Sequence, residues 1–158
     1  MMDVVCFSGH QPNLLPYMGV LYKMYRSDVF VLDDDVQYST DGLHNSNFIK
    51  VNGSKHRLTV PVHFNHGDPI NKVKVCYERD WVDKTLRTLQ CAYAKAKHFD
   101  DGYEFVARHF QKKPDLLVDL NISLLTEIVQ RFGFRCHLVI ASTDVPTQLK
   151  KNERNLYQ

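Results

Sequence analysis

Two rhythms of apolar residues organise the chain. VVCFSG, residues 4–9, is a short unbroken apolar run closed by glycine, as expected of a buried strand. In PYMGVLYKMYRSD (16–28), Tyr17, Val20, Leu21, Met24 and Tyr25 recur at helical spacing. Pro16 suits the first turn, where a backbone N–H would have no partner. VFVLDDD (29–35) is a second apolar run that ends in acid. Strand, short helix and strand predict an α/β unit with parallel strands and a right-handed crossover.

The middle of the chain changes period. NFIKVNGSKHRLTVPV (47–62) holds two strand-like runs around Asn52-Gly53, a strong hairpin signal. HFNHGDP (63–69) is a polar loop, and INKVKVCY (70–77) alternates like a half-buried strand. Helical spacing then dominates over 81–96, 103–110 and 116–133, with Gly133 as a stop residue. HLVIAS (137–142) reads as a buried strand. The expected fold class is therefore α/β. It is one three-layer domain over residues 1–158, with a largely parallel sheet, an inserted β-hairpin and a helical C-terminal half.

Composition adds limits more than identity. The chain has 158 residues, 44% hydrophobic, which suits one domain with a real core. Twenty basic residues against eighteen acidic ones provide little field for a polyanion, so nucleic acid is not an expected partner. Cys6, Cys76, Cys91 and Cys136 are scattered with no C-x-x-C pair, which fits a reducing compartment better than a disulfide framework. MMDVVCFSGHQ lacks a basic leader, and no apolar run reaches membrane length, so a soluble cytoplasmic protein is expected.

Three stretches carry more polar chemistry than folding requires. SGHQPNLLPY (8–17) places His10, Gln11 and Asn13 where an open α/β sheet holds ligands, beyond a strand's carboxyl end. The alternative is that Asn13 caps the helix and His10 is a satisfied surface histidine. LDDDVQYS (32–39) ends a strand in three carboxylates. In strand geometry Asp33 and Asp35 face one way and Asp34 the other, so at most two adjoin. GLHNSNFIK (42–50) is a polar loop with His44, Asn45, Asn47 and Lys50 that could fold over the same sheet edge. His63, His66 and Asp68 resemble an H-x-x-H pair, but the loop shows no further ligand, so no metal site is assigned. Glycine-rich phosphate loops and the G-x-S-x-G elbow are absent from the sequence.

HQPNLLPYMGVLYKM, FVLDDDVQYSTDGLHNSNFIK and LTVPV together resemble the WbqC-like family, linked to bacterial O-antigen and other surface-polysaccharide clusters. The resemblance runs from Val4 to about Asn155, and its most specific part is HQP-N-x-L-P-[aromatic]-x-G followed by D-D-V-Q-[aromatic]-S. It implies a transferase that modifies an amino sugar or sugar nucleotide, by aminoacyl or glycyl transfer. His10, Asp34 and Asp35 would be catalytic. Gln11, Asn13, Tyr17, Gln37, Tyr38, Asn45, Asn47 and Lys50 would bind a small-molecule substrate, and the motif also includes Pro12, Pro16 and Gly19. Similar phage proteins would substitute a nucleotide or modified base for the sugar.

Two departures stand out. Relatives carry arginine around the asparagine pair, where this chain has Ser46 and Phe48. Relatives also run on by several dozen residues and a further strand past the position of KNERNLYQ. The expectation is either a truncated C-terminus or a compact variant, and a missing strand would leave an open sheet edge that favours a homo-oligomer. His10 as general base is the leading reading. The alternatives are a nucleotidyl transferase with magnesium and a nucleotide held by Asp34 and Asp35, and a non-catalytic binding module.

Overall fold

The computed structural model describes residues 5–146. In chain order β1 (Phe7–His10), α1 (Met18–Tyr25) and β2 (Val29–Leu32) form the first unit. A hairpin of β3 (Ser46–Val51) and β4 (Ser54–Thr59) follows. β5 (Val62–His63) and β6 (Lys74–Val75) make a short antiparallel ribbon, separated by a 3-10 turn at Ile70–Lys72. Helices α2 (Trp81–Tyr93), α3 (Phe99–Gln111) and α4 (Leu117–Arg131) come next, then β7 (His137–Ile140) and the single turn α5 (Ala141–Asp144).

β1, β2 and β7 form a parallel sheet in the order β1-β2-β7, in register from Phe7↔Val29↔His137 to His10↔Leu32↔Ile140. The mixed α/β class expected from the sequence is thus present, with antiparallel hairpins and a helical C-terminal region around a three-stranded parallel sheet. Phe30 and Leu32 on β2 pack with Val20 and Met24 of α1 and with Leu125 and Val129 of α4. The other side of α4, through Leu117, Leu120 and Leu124, joins a larger core under the hairpin with α2 and α3. Helix α4 is apolar on both sides because it lies between the two clusters, the pattern of a buried helix.

Local signals explain the turns. Asn52 and Gly53 have φ of 48° and 82°, the left-handed pair that lets a two-residue loop follow the twist of its strands. At the end of α4, Gly133 (φ 62°) donates to Gln130 O and Phe134 donates to Val129 O, a Schellman stop.

Other boundaries differ from the sequence reading. The apolar run at 4–9 yields a strand only from Phe7, and Val4 lies outside the described residues. Residues 70–77 are not one strand: Pro69 leads into the 3-10 turn, whose Val73 N–H bonds Ile70 O, so only Lys74–Val75 pairs. The helix expected over 103–110 begins at Phe99, where Asp100 and Asp101 add acid to the first turn. The helix expected over 81–96 stops at Tyr93, and β2 stops at Leu32, before the aspartates. The terminal KNERNLYQ lies outside the described residues.

Candidate functional site

His10 ends β1, and the N–H of Asp33 donates to its carbonyl at 3.1 Å, so the two strand tips leave the sheet together. Nδ1 of His10 lies 2.9 Å from Gln11 O. A carbonyl can only accept, so Nδ1 is the donating nitrogen and Nε2 is the ring nitrogen not engaged in this bond. Gln11 Oε1 is 2.7 Å from Nε2 of His44, and the Ser39 N–H approaches Nδ1 of His44 at 3.5 Å. That arrangement makes His44 a neutral Nε2–H donor. Burial, reinforced by the charge of His10, holds His44 below the ordinary histidine range. Its ring packs at 5.6 Å from that of Tyr38. Gly42 is required beside it, since a Cβ there would sit 2.8 Å from His44 Cε1.

Asp33 and Asp34 separate, although strand alternation is not the cause: the chain has left β2, and the Asp34 N–H turns back to Leu32 O at 3.0 Å. Asp34 is 2% exposed: Ser142 donates its N–H (2.8 Å) and its hydroxyl (2.5 Å), and Asn71 Nδ2 donates at 3.3 Å. Its carboxylate ties β2 to the start of α5 and to the 3-10 turn. Asp33 goes the other way. Burial raises its pKa above the usual aspartate value, Asp35 adds to the rise, and the charges of His10 and Lys23 oppose it. Lys23 Nζ in turn donates to Gly9 O at 2.6 Å. Asp33, Asp35, His10 and Lys23 therefore form one electrostatic group at the tips of β1 and β2.

The asparagines are engaged with the main chain. Asn45 Nδ2 donates to Val60 O at 2.9 Å, and Asn47 Nδ2 donates to Leu14 O at 3.1 Å and to Leu15 O. Asn121, fully buried in α4, donates to Pro12 O and to His44 O, both at 2.8 Å. Asn13 is buried, and its Oδ1 has no hydrogen-bond partner. Leu15, between these contacts, takes φ 44°, a left-handed conformation that leucine adopts only under such constraint.

Gln37 and Tyr38 line an open cleft of about 410 Å³ with Thr40, Phe64 and His66. Burial raises the Tyr38 pKa and Arg57 opposes the rise. Arg57, facing Phe48 across the hairpin, donates to Ser46 Oγ at 3.1 and 2.9 Å and to Thr40 O at 3.4 Å. A guanidinium thus stands at the asparagine loop after all, supplied by β4. Tyr17 is exposed at the start of α1, its ring over Gly19, where a Cβ would lie 2.5 Å from Tyr17 Cε2. Lys50 pairs with Lys55 near the hairpin tip and is not gathered with the rest. The structure therefore joins His10, Gln11, His44 and Tyr38 by direct contacts, and Asp33 and Asp35 by charge. Asn45 and Asn47 act on the backbone instead.

Comparison with known proteins completes this description. The WbqC-like protein family matches residues 11–157. The chain belongs to the WbqC-like family. An uncharacterized protein of Mycobacterium tuberculosis is 28% identical over 131 residues, 81% of this chain and 56% of the relative. The chain thus spans little more than half the length of the curated relative it matches. No solved structure matches. Among the described residues, no helix is long and apolar enough to cross a membrane.

Sequence reasoning on this WbqC-like protein left out Asp33, Lys23 and Asn121. Alternation already paired Asp33 with Asp35. A polar Asn121 between Leu117, Leu120, Leu124 and Leu125 was the readable sign of an internal amide. Lys23 carries no such mark.

Proposed function

We propose that this protein is a group-transfer enzyme that acylates the amine of an amino sugar or sugar nucleotide in surface-polysaccharide biosynthesis, in the cytoplasm. The observation that carries the reading is the 2.9 Å contact between His10 Nδ1 and Gln11 O. With Nδ1–H held by Gln11 O, Nε2 is the nitrogen that would serve as the base, at the carboxyl end of a parallel strand. Nε2 takes a proton from the substrate ammonium or from the amine as it attacks. The nitrogen lone pair forms the new N–C bond, and the leaving group departs with its electron pair and can recover that proton from the imidazolium. Asp33 and Asp35 supply the negative field that holds the ammonium and stabilises the imidazolium. Gln37 and Tyr38 border the cleft that would take the rest of the substrate, and Arg57, bonded to the carbonyl of the cleft residue Thr40, brings a guanidinium that suits a phosphate.

Mass spectrometry of small molecules retained through native purification identifies the ligand class, and turnover is then measured with that molecule. His10→Ala should lower kcat by about 100-fold or more with little change in KM. Turnover that survives His10→Ala unchanged would overturn the assignment. An adenylate retained instead of a sugar nucleotide would replace it with nucleotidyl transfer.

A further inference from the structure

A second cluster lies outside this site, on the β5–β6 ribbon. His63, Cys76 and Glu78 each offer a ligand atom, and these atoms lie within 4.8 Å of one another. The ribbon accounts for the grouping. Val62 pairs with Val75, so Cys76 falls opposite Pro61, and its N–H donates to Pro61 O at 2.8 Å. His63 is then the diagonal neighbour of Cys76 on the same face of the ribbon, a separation that long side chains bridge. Glu78 lies past the end of β6, where the chain bends, and its carboxylate comes back to the same group. Cys76 is buried at the base, whereas the side chains of His63 and Glu78 are largely exposed, with Nε2 and Oε1 4.0 Å apart.

An exposed histidine–glutamate pair by itself contributes little. A thiol beneath it changes the chemistry. Sulfur, imidazole nitrogen and carboxylate oxygen together are a donor set for a borderline-soft divalent cation, and harder ions such as magnesium and calcium prefer oxygen alone. In a tetrahedral zinc site with bonds of about 2.0–2.3 Å, ligand atoms stand roughly 3.3–3.6 Å apart. Closing from the present spacing needs only rotations of the two exposed side chains, while the thiol stays fixed. Thiolate and carboxylate together balance the charge of the cation.

We propose that His63, Cys76 and Glu78 bind one zinc-class divalent ion through three protein ligands, leaving a fourth position open. His63 also lines an open cleft of about 480 Å³ with Asn65, Asp68, Lys72 and Lys74, from which a fourth ligand could come. The two lysines favour water or an anion, such as a carboxylate or phosphate, as the fourth ligand. Asn65 and Phe64 also border the neighbouring cleft of Gln37 and Tyr38, so the ion would sit at the far end of a continuous polar surface.

The test is titration of the full chain, under reducing conditions and after chelator treatment, with Co²⁺ followed by Zn²⁺. One Co²⁺ per chain should give the intense visible bands of tetrahedral cobalt and a near-ultraviolet thiolate-to-cobalt band. Zinc should displace both, and zinc binding should release a proton. Cys76→Ser should abolish the thiolate band. His63→Ala and Glu78→Gln, both exposed and safe for folding, should each weaken binding by about 10- to 100-fold. His66→Ala, three residues on and lining the other cleft, should leave affinity unchanged. Absence of stoichiometric binding would overturn the proposal. So would a thiolate band that persists in Cys76→Ser, or affinity that is equal in wild type, His63→Ala and Glu78→Gln.

Discussion

Asn121→Ala tests whether the HQPN turn is held from below by a single amide. Asn121 Nδ2 donates to Pro12 O and His44 O at 2.8 Å each, and the side chain has no solvent exposure. Removing it leaves two buried carbonyls unpaired, about 1–3 kcal/mol each. Part of that is offset, because Asn121 Oδ1 is itself buried without a partner and its desolvation cost disappears with it. The expected net loss is about 2–4 kcal/mol, a large share of the stability of an ordinary domain. Urea denaturation measures the total. The local part is read from hydrogen exchange of the Leu14 amide, which bonds Leu43 O at 3.0 Å between the two loops that Asn121 joins. If the loops open locally, 2–4 kcal/mol corresponds to roughly 30- to 700-fold faster exchange at Leu14. Asn121→Asp separates donor chemistry from shape, since it keeps the volume and turns an acceptor toward two carbonyls. It should cost more than Asn121→Ala. A loss below about 1 kcal/mol in Asn121→Ala with unchanged Leu14 exchange, or a neutral Asn121→Asp, would refute the clamp.

Three further outcomes follow from the same geometry. Asp34→Ala should destabilise by about 3 kcal/mol or more and Ser142→Ala by about half as much, because Ser142→Ala removes only the hydroxyl bond; equal losses in denaturant titrations would contradict this. Gly42→Ala should cost about 1–3 kcal/mol, since the buried His44 ring cannot yield, whereas Gly19→Ala should be neutral or stabilising because the exposed Tyr17 ring can swing away; melting temperatures that fall equally would count against both readings. His44 has a folded pKa below its unfolded value near 6.5. Above that value it is neutral in both states and its stabilising share is complete. As pH falls below it the unfolded chain takes up a proton that the folded chain refuses, so stability declines toward the folded pKa. His44→Gln should flatten that segment of the stability–pH curve, and an unchanged slope would show that His44 is not its source.

Much of the fold was legible because it rests on local chemistry. Asn52-Gly53 and Gly133 mark a turn and a helix stop through backbone preferences that no distant contact overrides. The 70–77 segment was not legible, since Ile70, Val73 and Val75 alternate loosely enough to serve a strand or a 3-10 turn. The bond from Leu117 N–H to Val73 O, across more than forty residues, supplies a contact that alternation cannot encode. For the site, strand parity predicted that Asp34 parts from Asp33, and it does, but through the turn after Leu32 and not through a continued strand. It did not say which face meets His10, and that depends on the β1–β2 register. The density of amides in HQPN and HNSN was visible, yet its meaning was not, because an amide that binds a sugar and one that binds a carbonyl look alike in sequence.

That ambiguity resolves once the position of β1 is considered. Among the described residues β1 pairs only with β2, so the turn after His10 leaves the end of an edge strand with one neighbour to restrain it. A general base must hold its lone pair in place, and such a turn alone would fray. Asn121 holds it from α4, Asn47 from β3, and the Gln11–His44 bond from the following loop. Each tie ends on a backbone atom or on Gln11, whose carbonyl contacts His10. The amides Asn47 and Asn121 therefore go into stiffness, and in the proposed reading recognition falls to other groups: the Asp33–Asp35 pair on one side, and Gln37, buried Tyr38 and Arg57 on the other. A substrate that matches this division carries positive charge at its reacting end and oxygen-rich or anionic groups away from it.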